Sequence, residues 1–231
     1  MNRAARRIIL ALLPQDCFLC GAFSGASLLC QNCSQELPKI SVPACPICAL
    51  PTPAGETCGA CLAQPPFFDA TRCGFRYAFP VDRLVQALKY QHRLAVAGFF
   101  AEALLEVTST LPWTTDLLLA LPLSAERLRH RGFNQALEIA RPLAQHRGWA
   151  LSVQGYRRAI DTVPQTSLPW KQRHKNIHGA FECDLDLTGK NLAVIDDVMT
   201  TGASLNEFAR ILKQHGAASV TNLVAARALR H

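Results

Sequence analysis

The chain has 231 residues, of which 49% are hydrophobic, and it carries a formal net charge of +7. This composition excludes wholesale disorder, because a disordered chain lacks the apolar residues needed for a core. The length allows one large domain, or a medium domain with a small module. No apolar run approaches the roughly 20 residues that a membrane-spanning helix needs.

The first segment, residues 1–16, combines three arginines with the apolar run 8–13. A secretory signal peptide would need an apolar run of about 7–15 residues followed by a small-residue cleavage site. This run is shorter than that range and ends at Pro14. We therefore expect a short amphipathic segment at the N-terminus and a cytoplasmic protein.

Residues 17–66 contain eight of the ten cysteines, arranged as four Cys-x-x-Cys pairs. Each cysteine of the first two pairs recurs 28 residues later, so the segment is an internal repeat. In a reducing compartment such pairs indicate metal, because each turn points two thiolates at one ion and two turns complete a closed tetrahedral site. The pattern predicts a double zinc ribbon with two structural zinc ions, held by Cys17, Cys20, Cys30, Cys33, Cys45, Cys48, Cys58 and Cys61.

Several points about the cysteines stay open at this stage. Disulfides or a redox site are alternatives, although four evenly spaced pairs are more typical of zinc ribbons. The repeat favours two sequential sites, and a cross-braced arrangement of the first pair with the third is the alternative. Lys39 is the only basic residue between Cys17 and Cys61, which disfavours nucleic-acid binding by this module. Cys73 and Cys183 have no such partner and are expected to be small buried residues.

Residues 70–231 alternate between strand and helix patterns, which predicts an α/β domain. Strands are predicted at 72–78, 116–121, 191–195 and 219–225, with a weaker one at 149–153. Helices are predicted at 84–88, 94–105, 133–145 and 204–215, with Pro142 kinking or ending the third and Gly216 ending the last. The strand at 191–195 is almost continuously apolar, so we expect a right-handed parallel βαβ unit there.

The strongest functional signal is the string 194–204, Val-Ile-Asp-Asp-Val-Met-Thr-Thr-Gly-Ala-Ser. Asp196 and Asp197 are expected to leave the carboxyl end of the strand, where open α/β sheets bind ligands. The residues that follow open a helix whose N–H groups and hydroxyls suit a phosphate, and Gly202 allows close approach. Adjacent carboxylates would repel a bare phosphate, so a ligand that also presents hydroxyls, such as a sugar phosphate, is favoured. The alternative is that the string is only an acidic turn before a capped helix, which the whole string disfavours.

This string resembles the 5-phosphoribosyl-1-pyrophosphate (PRPP) signature of type I phosphoribosyltransferases, and the whole chain resembles the ComF/GntX family within them. The further motifs are Leu88-Lys89-Tyr90, Pro122-Leu123, Arg131-Gly132-Phe133-Asn134-Gln135 and Arg173-x-x-Asn176-x-x-Gly179-Ala180-Phe181. The resemblance implies a phosphoribosyltransferase-like parallel sheet flanked by helices over residues 70–231, preceded by the double zinc ribbon.

The resemblance also implies roles for particular residues. Asp196 and Asp197 would hold the ribose hydroxyls, the residues from Thr200 onward would bind the 5-phosphate, and Mg²⁺ would arrive with the pyrophosphate. The full PRPP-binding set is Asp196, Asp197, Val198, Met199, Thr200, Thr201, Gly202, Ala203 and Ser204. The catalytic set combines the two aspartates with Arg131 and Arg173, whose charges would stabilise the departing pyrophosphate. Lys89 is a weaker candidate, and residues 161–178 are expected to order over the ligand as a lid.

The combined observations predict phosphoribosyl transfer from PRPP to an acceptor that the sequence does not identify, in a role linked to DNA uptake or utilisation. One alternative is a non-catalytic competence protein that handles single-stranded DNA or contacts the DNA-uptake machinery. Another is a PRPP-sensing regulator without catalysis. Arg127, Arg129, His130 and Arg131 suit either a pyrophosphate or a nucleic-acid backbone. No oligomeric state follows from the sequence.

Overall fold

The computed structural model describes residues 15–40, 43–109, 115–159 and 177–229. Its cysteine-rich part contains two short strands and two short helices, namely β1 (Gln15–Asp16), β2 (Phe23–Gly25), α1 (Gln31–Gln35) and α2 (Gly59–Ala63). Strands β1 and β2 pair antiparallel, so Gln15 and Asp16 are joined to the first ribbon. The rest of the predicted N-terminal segment, residues 1–14, lies outside the described residues.

Strands and helices then alternate along the chain, as β3 (Ala70–Arg76), α3 (Val81–Tyr90), α4 (Ala95–Ser109), β4 (Leu117–Ala120), α5 (Ala125–Arg131), α6 (Gln135–Arg147), β5 (Leu151–Ser152), β6 (Tyr156–Arg158), β7 (Phe181–Cys183), β8 (Asn191–Met199), α7 (Ala203–Gln214) and β9 (Ser219–Arg227). Five strands form one sheet in the order β3-β9-β8-β4-β5, and all neighbouring pairs are parallel. Strands β6 and β7 form a separate antiparallel pair. Within these described ranges, no helix is long and apolar enough to cross a bilayer.

Helices cover both faces of the sheet. On one face α3, α4 and α6 bury Leu88, Phe100 and Leu143, and on the other α7 buries Phe208 and Leu212. Strand β8 is apolar from residue 192 to 195 because both of its faces are covered. The predicted fold class, a parallel sheet flanked by helices with a parallel βαβ unit at its end, is confirmed.

Two of the predicted boundaries are wrong for identifiable reasons. Strand β8 continues past Ile195 to Met199, because its last residues stay paired with β9. The two aspartates therefore lie within the strand and not beyond it. The helix predicted at 133–145 begins only at Gln135, since Gly132, with a φ of 77°, ends α5 and Asn134 caps α6. Helix α6 continues through Pro142 to residue 147.

The two ribbons pack on opposite faces of the sheet. In the first ribbon, Cys17 and Leu29 belong to the apolar cluster that contains α3 and α4. In the second ribbon, Cys45 and Cys48 belong to the cluster that contains α7, together with Phe68 just beyond the ribbon. The cysteine module thus shares both apolar cores with the sheet.

The segment between the ribbons runs along the outer edge of β3. Lys39 forms an isolated antiparallel bridge with Phe75, and Arg76 donates its backbone N–H to the carbonyl of Pro38 at 2.7 Å. Thr71 donates its backbone N–H to the carbonyl oxygen of the second ribbon's Pro46 at 3.4 Å. Since an open edge strand offers unpaired backbone groups to other chains, this segment covers the exposed side of the sheet.

Asn134 generates a stability prediction. Its side-chain oxygen accepts the N–H groups of Ala136 and Leu137, and its amide nitrogen donates to the carbonyl of Leu121 at 3.0 Å. We expect Asn134→Ala to lower the free energy of unfolding by about 1–2 kcal/mol, because a helix cap and a partly buried hydrogen bond are lost. Urea unfolding of the zinc-loaded chain measures this change. Asn134→Ser keeps a side-chain oxygen that can accept at the start of the helix and should cost less, and equal losses in the two variants would contradict the capping role.

Candidate functional site

The candidate site lies at the carboxyl edge of the sheet, between β4 and β8. Strand β4 pairs with β8 only as far as Ile195, whereas β8 continues beside β9. The chain leaves β4 toward β5 on one side and leaves β8 toward β9 on the other, with the connecting helices α6 and α7 on opposite faces. Such a topological switch point is where open α/β sheets bind ligands.

Two adjacent carboxylates mark this edge. Asp196 is half-buried and Asp197 is buried. The Asp196 carboxylate accepts the backbone N–H of Asp197, and the Asp197 carboxylate accepts that of Val198, both at 2.8 Å. Burial, together with the nearby charge of Asp197, raises the pKa of Asp196 well above its ordinary value. The surroundings therefore disfavour the charged form of Asp196, and a ligand hydroxyl or a cation beside it would stabilise that charge.

Lys89, at the end of α3, reaches this carboxylate pair. Its Nζ lies 2.8 Å from Oδ2 of Asp197, and both side chains are largely shielded from solvent. Burial alone would lower the pKa of Lys89, but the charge and hydrogen bond of Asp197 outweigh it and raise that pKa. The lysine is thus held as a cation, and it fixes the orientation of one of the two carboxylates.

Arg131 and Tyr90 lie beside this ion pair. The Arg131 guanidinium lies 5.5 Å from the ring centre of Tyr90, which is 61% exposed. The positive charge of Arg131 acts to lower the pKa of Lys89. Arg131 also donates to the side-chain oxygen of the buried Gln135 at 3.1 Å. The structure therefore brings the Leu-Lys-Tyr and Arg-Gly-Phe-Asn-Gln motifs together at the aspartates.

The loop that follows β8 borders a small, partly open pocket of about 30 Å³, lined by Asp196 and by residues of the segment 198–205. Gly202 has a φ of 82°, and a Cβ there would lie 2.6 Å from Cε of Met199, so only glycine fits without strain. The hydroxyl of Thr201 accepts the N–H of Ala203, the first residue of α7, at 3.1 Å. Because this N–H is already bonded, only part of the expected N–H cradle is available to an anion. We call residues 200–204 the phosphate loop.

The eight paired cysteines form two clusters. Within each cluster the four Sγ atoms all lie within 4.8 Å of one another, in the sequential grouping that the repeat favours and not the cross-braced one. Sγ atoms of Cys20 and Cys30 are 3.7 Å apart, and those of Cys48 and Cys58 are 3.6 Å apart. Thiolates around a tetrahedral zinc ion lie about 3.8 Å apart, given Zn–S distances of about 2.3 Å. Both clusters therefore fit a structural zinc ion with no open position.

The first cysteine of each cluster has a lowered pKa, which favours its thiolate form. Burial acts to raise the pKa of Cys17, but backbone N–H groups around the sulfur lower it to about 6. The pKa of Cys45 is lowered to about 7 in the same way, and the N–H of Cys58 points at its sulfur at 3.4 Å. Cys73 and Cys183, expected to be buried, are both buried outside these clusters.

Some proposed residues cannot be placed. Arg173, Asn176 and most of the predicted lid lie outside the described residues, although strands β6 and β7 bracket that segment. Arg227 was not recognised in the sequence, yet it is 3% exposed and donates to the carbonyl of Met199 at 2.9 Å. The signal that could have identified it is an arginine that directly follows the apolar run 223–226.

Comparison with known proteins identifies the cysteine module, since the double zinc ribbon domain family matches residues 8–62. The "DNA utilization protein YhgH" of Salmonella typhi is 33% identical over 218 residues, which cover 90% of this chain and 95% of that protein. The "Competence protein ComFC" of Bacillus subtilis is 26% identical over 212 residues, which cover 86% of this chain and 84% of that protein. The solved structure of a purine phosphoribosyltransferase from Pyrococcus horikoshii aligns with 68% of this chain and 87% of its own, at 18% identity and a TM-score of 0.29.

The raised pKa of Asp196 predicts how stability depends on pH. A carboxyl whose pKa is higher in the folded than in the unfolded chain stabilises the fold at low pH, and this contribution is lost as pH rises through the folded-state value. Asp196→Asn cannot ionise and still offers an acceptor to the N–H of Asp197. We therefore expect this variant to be more stable than the parent at neutral pH, with a difference that shrinks on acidification.

Urea unfolding of zinc-loaded parent and variant at matched pH values measures this difference. Asp116→Asn is the matched control, because Asp116 is exposed beside the start of β4 and its Oδ2 accepts the N–H of Asn191. An Asp196→Asn variant that is less stable than the parent at neutral pH would contradict the electrostatic description of the pair.

Proposed function

The chain belongs to the ComF/GntX family, and on that premise we propose that it binds PRPP at the carboxyl edge of its sheet and transfers phosphoribose to an acceptor. The observation that carries the proposal is the adjacency of Asp196, which lines the pocket, and Asp197, which is paired with Lys89, just before the phosphate loop. Carboxylates beside an anion site suit a ligand that presents hydroxyls next to a phosphate, as the ribose of PRPP does.

In this proposal each part of the site has a separate role. Asp196 and Asp197 accept hydrogen bonds from the ribose 2- and 3-hydroxyls and do not serve as an acid and a base. The phosphate loop, from Thr200 to Ser204, binds the 5-phosphate at the N-terminal end of α7, where the helix dipole favours negative charge. Val198 and Met199 line the pocket between these two parts.

Transfer would break the bond between the sugar C1 and the pyrophosphate oxygen and form a bond from C1 to the acceptor. The electron pair of the broken bond leaves with the pyrophosphate, and positive charge develops on the sugar. Mg²⁺ bound with the pyrophosphate would neutralise part of its charge. Arg131, beside Lys89 at the same edge, would stabilise the departing anion, and the rate would come from positioning and charge stabilisation. Arg173 is proposed for the same task by resemblance alone.

A second function, in DNA handling, is favoured by the relatives named for DNA utilisation and competence and by the surface of α5. This helix carries Arg127, Arg129, His130 and Arg131 against a single acidic residue, Glu126. Arg129 and His130 are exposed, and the helix follows the carboxyl end of β4, close to the proposed PRPP site. Such a cationic helix suits the phosphate backbone of single-stranded DNA. A PRPP-sensing regulator would bind PRPP without releasing pyrophosphate.

The PRPP proposal predicts the effect of removing both carboxylates. We expect the double variant Asp196→Asn and Asp197→Asn to weaken binding of Mg²⁺–PRPP about a hundredfold or more, because each hydrogen bond to a charged group contributes about 1.5 kcal/mol or more. Titration calorimetry on the zinc-loaded chain measures the affinity. Asp116→Asn should bind as the parent does, and unchanged affinity in the double variant would refute the site.

The DNA proposal predicts a salt-dependent effect of α5. We expect the double variant Arg127→Ala and Arg129→Ala to bind single-stranded DNA more weakly, with the slope of log affinity against log salt reduced by about 1.4, since each phosphate contact contributes about 0.7. Fluorescence anisotropy at several salt concentrations gives the slope. Arg157→Ala is the control, because Arg157 is paired with Glu182. A slope equal to that of the parent would exclude α5 from any DNA contact.

A further inference from the structure

Arg227 is a buried cation that the proposed chemistry does not use. It ends β9, and its guanidinium donates to the backbone carbonyls of Cys48 at 2.9 Å, Met199 at 2.9 Å, Ala228 at 2.9 Å and Thr200. Burying a guanidinium is costly unless its donors are satisfied, so this arrangement fixes the acceptors as firmly as it fixes the arginine.

The acceptors belong to two different parts of the protein. Cys48 is one of the four cysteines of the second cluster, whereas Met199 directly precedes the phosphate loop and Thr200 is its first residue. The donors of a guanidinium lie in one rigid plane. Because Nε of Arg227 donates to the Cys48 carbonyl while Nη1 donates to the carbonyls of Met199 and Thr200, the arginine holds these two stretches of backbone at a fixed separation. A lysine could not reproduce this geometry.

Other contacts join the chain just beyond the second ribbon to the phosphate loop and the first turn of α7. The Phe68 ring lies 3.9 Å from the position that a Cβ on Gly202 would occupy. The backbone N–H of Phe67 donates to the side-chain oxygen of Asn206, in the first turn of α7, at 2.6 Å. The first cluster lies on the opposite face of the sheet, and its cysteine Cys17 belongs to the apolar cluster of α3 and α4.

We infer that the second four-cysteine cluster positions the phosphate loop through Arg227, so that metal bound at this cluster, and not at the first, sets the order of the loop. Arg227 is a positioning residue in this role, since it contacts the loop backbone and not the pocket side chains. The consequence for ligand affinity rests on the proposed function, whereas the consequence for loop order does not.

The physical basis is the stiffness that metal gives to the knuckle around Cys45 and Cys48. Four thiolates on one ion fix the backbone that carries the Cys48 carbonyl, and residues just outside a metal's ligands commonly tune the metal and depend on it in turn. Without the ion, this carbonyl is free to move away from Arg227. The guanidinium then loses one acceptor, and its hold on the carbonyls of Met199 and Thr200 weakens.

Matched variants in the two clusters test this inference. Cys30→Ser and Cys58→Ser remove equivalent cysteines of the repeat, both half-buried, and each should reduce the zinc content from two ions to one. We expect Cys58→Ser to speed amide hydrogen exchange in residues 199–205 and to weaken Mg²⁺–PRPP binding roughly tenfold, the lower end of outer-shell effects. Cys30→Ser should leave both within about twofold of the parent. Equal effects of the two variants would overturn the inference.

Arg227→Lys supplies a second test that leaves all eight cysteines in place. We expect this variant to keep two zinc ions and to show faster exchange in residues 199–205, because a lysine lacks the planar fork. Exchange equal to that of the parent would overturn the inference, and this variant decides the question if Cys58→Ser does not fold.

The two readouts separate this inference from the proposed function. If the zinc-loaded parent does not bind Mg²⁺–PRPP, the proposed function fails, and the exchange rates alone decide whether the second cluster orders the loop. If the parent binds but Cys58→Ser and Cys30→Ser cannot be distinguished by affinity or exchange, the inference fails and the proposed function stands.

Discussion

Strand β8 and its hydrogen bonds to β9 and β4 determine where every proposed ligand group lies. Because β9 stays paired to β8 for its full length and β4 stops at Ile195, the last residues of β8 are anchored on one side and open on the other. The carboxylates, the pocket and the phosphate loop all follow from this asymmetry. Helix α3 then adds Lys89 from the face of the sheet that it shares with α6, and Arg131, the last residue of α5, lies beside it.

This arrangement concentrates unfavourable electrostatics at one place. The surroundings of Asp196 favour its protonated form. Lys89 stays charged despite the cost of its burial, and the positive charge of Arg131 repels that of Lys89. An edge with fewer buried charges would make the fold more stable. Unfavourable electrostatics of this kind are typical of sites that a ligand completes. The apolar strand and the two covering helix layers supply the surplus of stability that tolerates it.

The sequence was sufficient for the main sheet and the cysteine clusters, because each depends on local pattern, and it placed the aspartates at the correct edge of the sheet but beyond the strand instead of within it. Continuous apolar residues predict β8, and a 28-residue repeat predicts two equivalent clusters. Helix α5 was missed because its residues are mostly charged and show no apolar periodicity. The extension of β8 was missed because its last residues include two aspartates, which are rare in strands, although β9 still pairs with them. Arg227 was beyond local pattern altogether, since its partners come from residues 48, 199, 200 and 228.

The segment between the ribbons, which lies along β3, links metal supply to the solubility of the whole chain. Lys39 and Pro38 occupy the hydrogen-bonding edge of that strand, and the ribbons on either side of them depend on metal for their fold. A chain stripped of its metal therefore uncovers a row of backbone donors and acceptors at the end of a parallel sheet. Extended segments of other copies can pair with such a row, so zinc starvation would appear first as self-association.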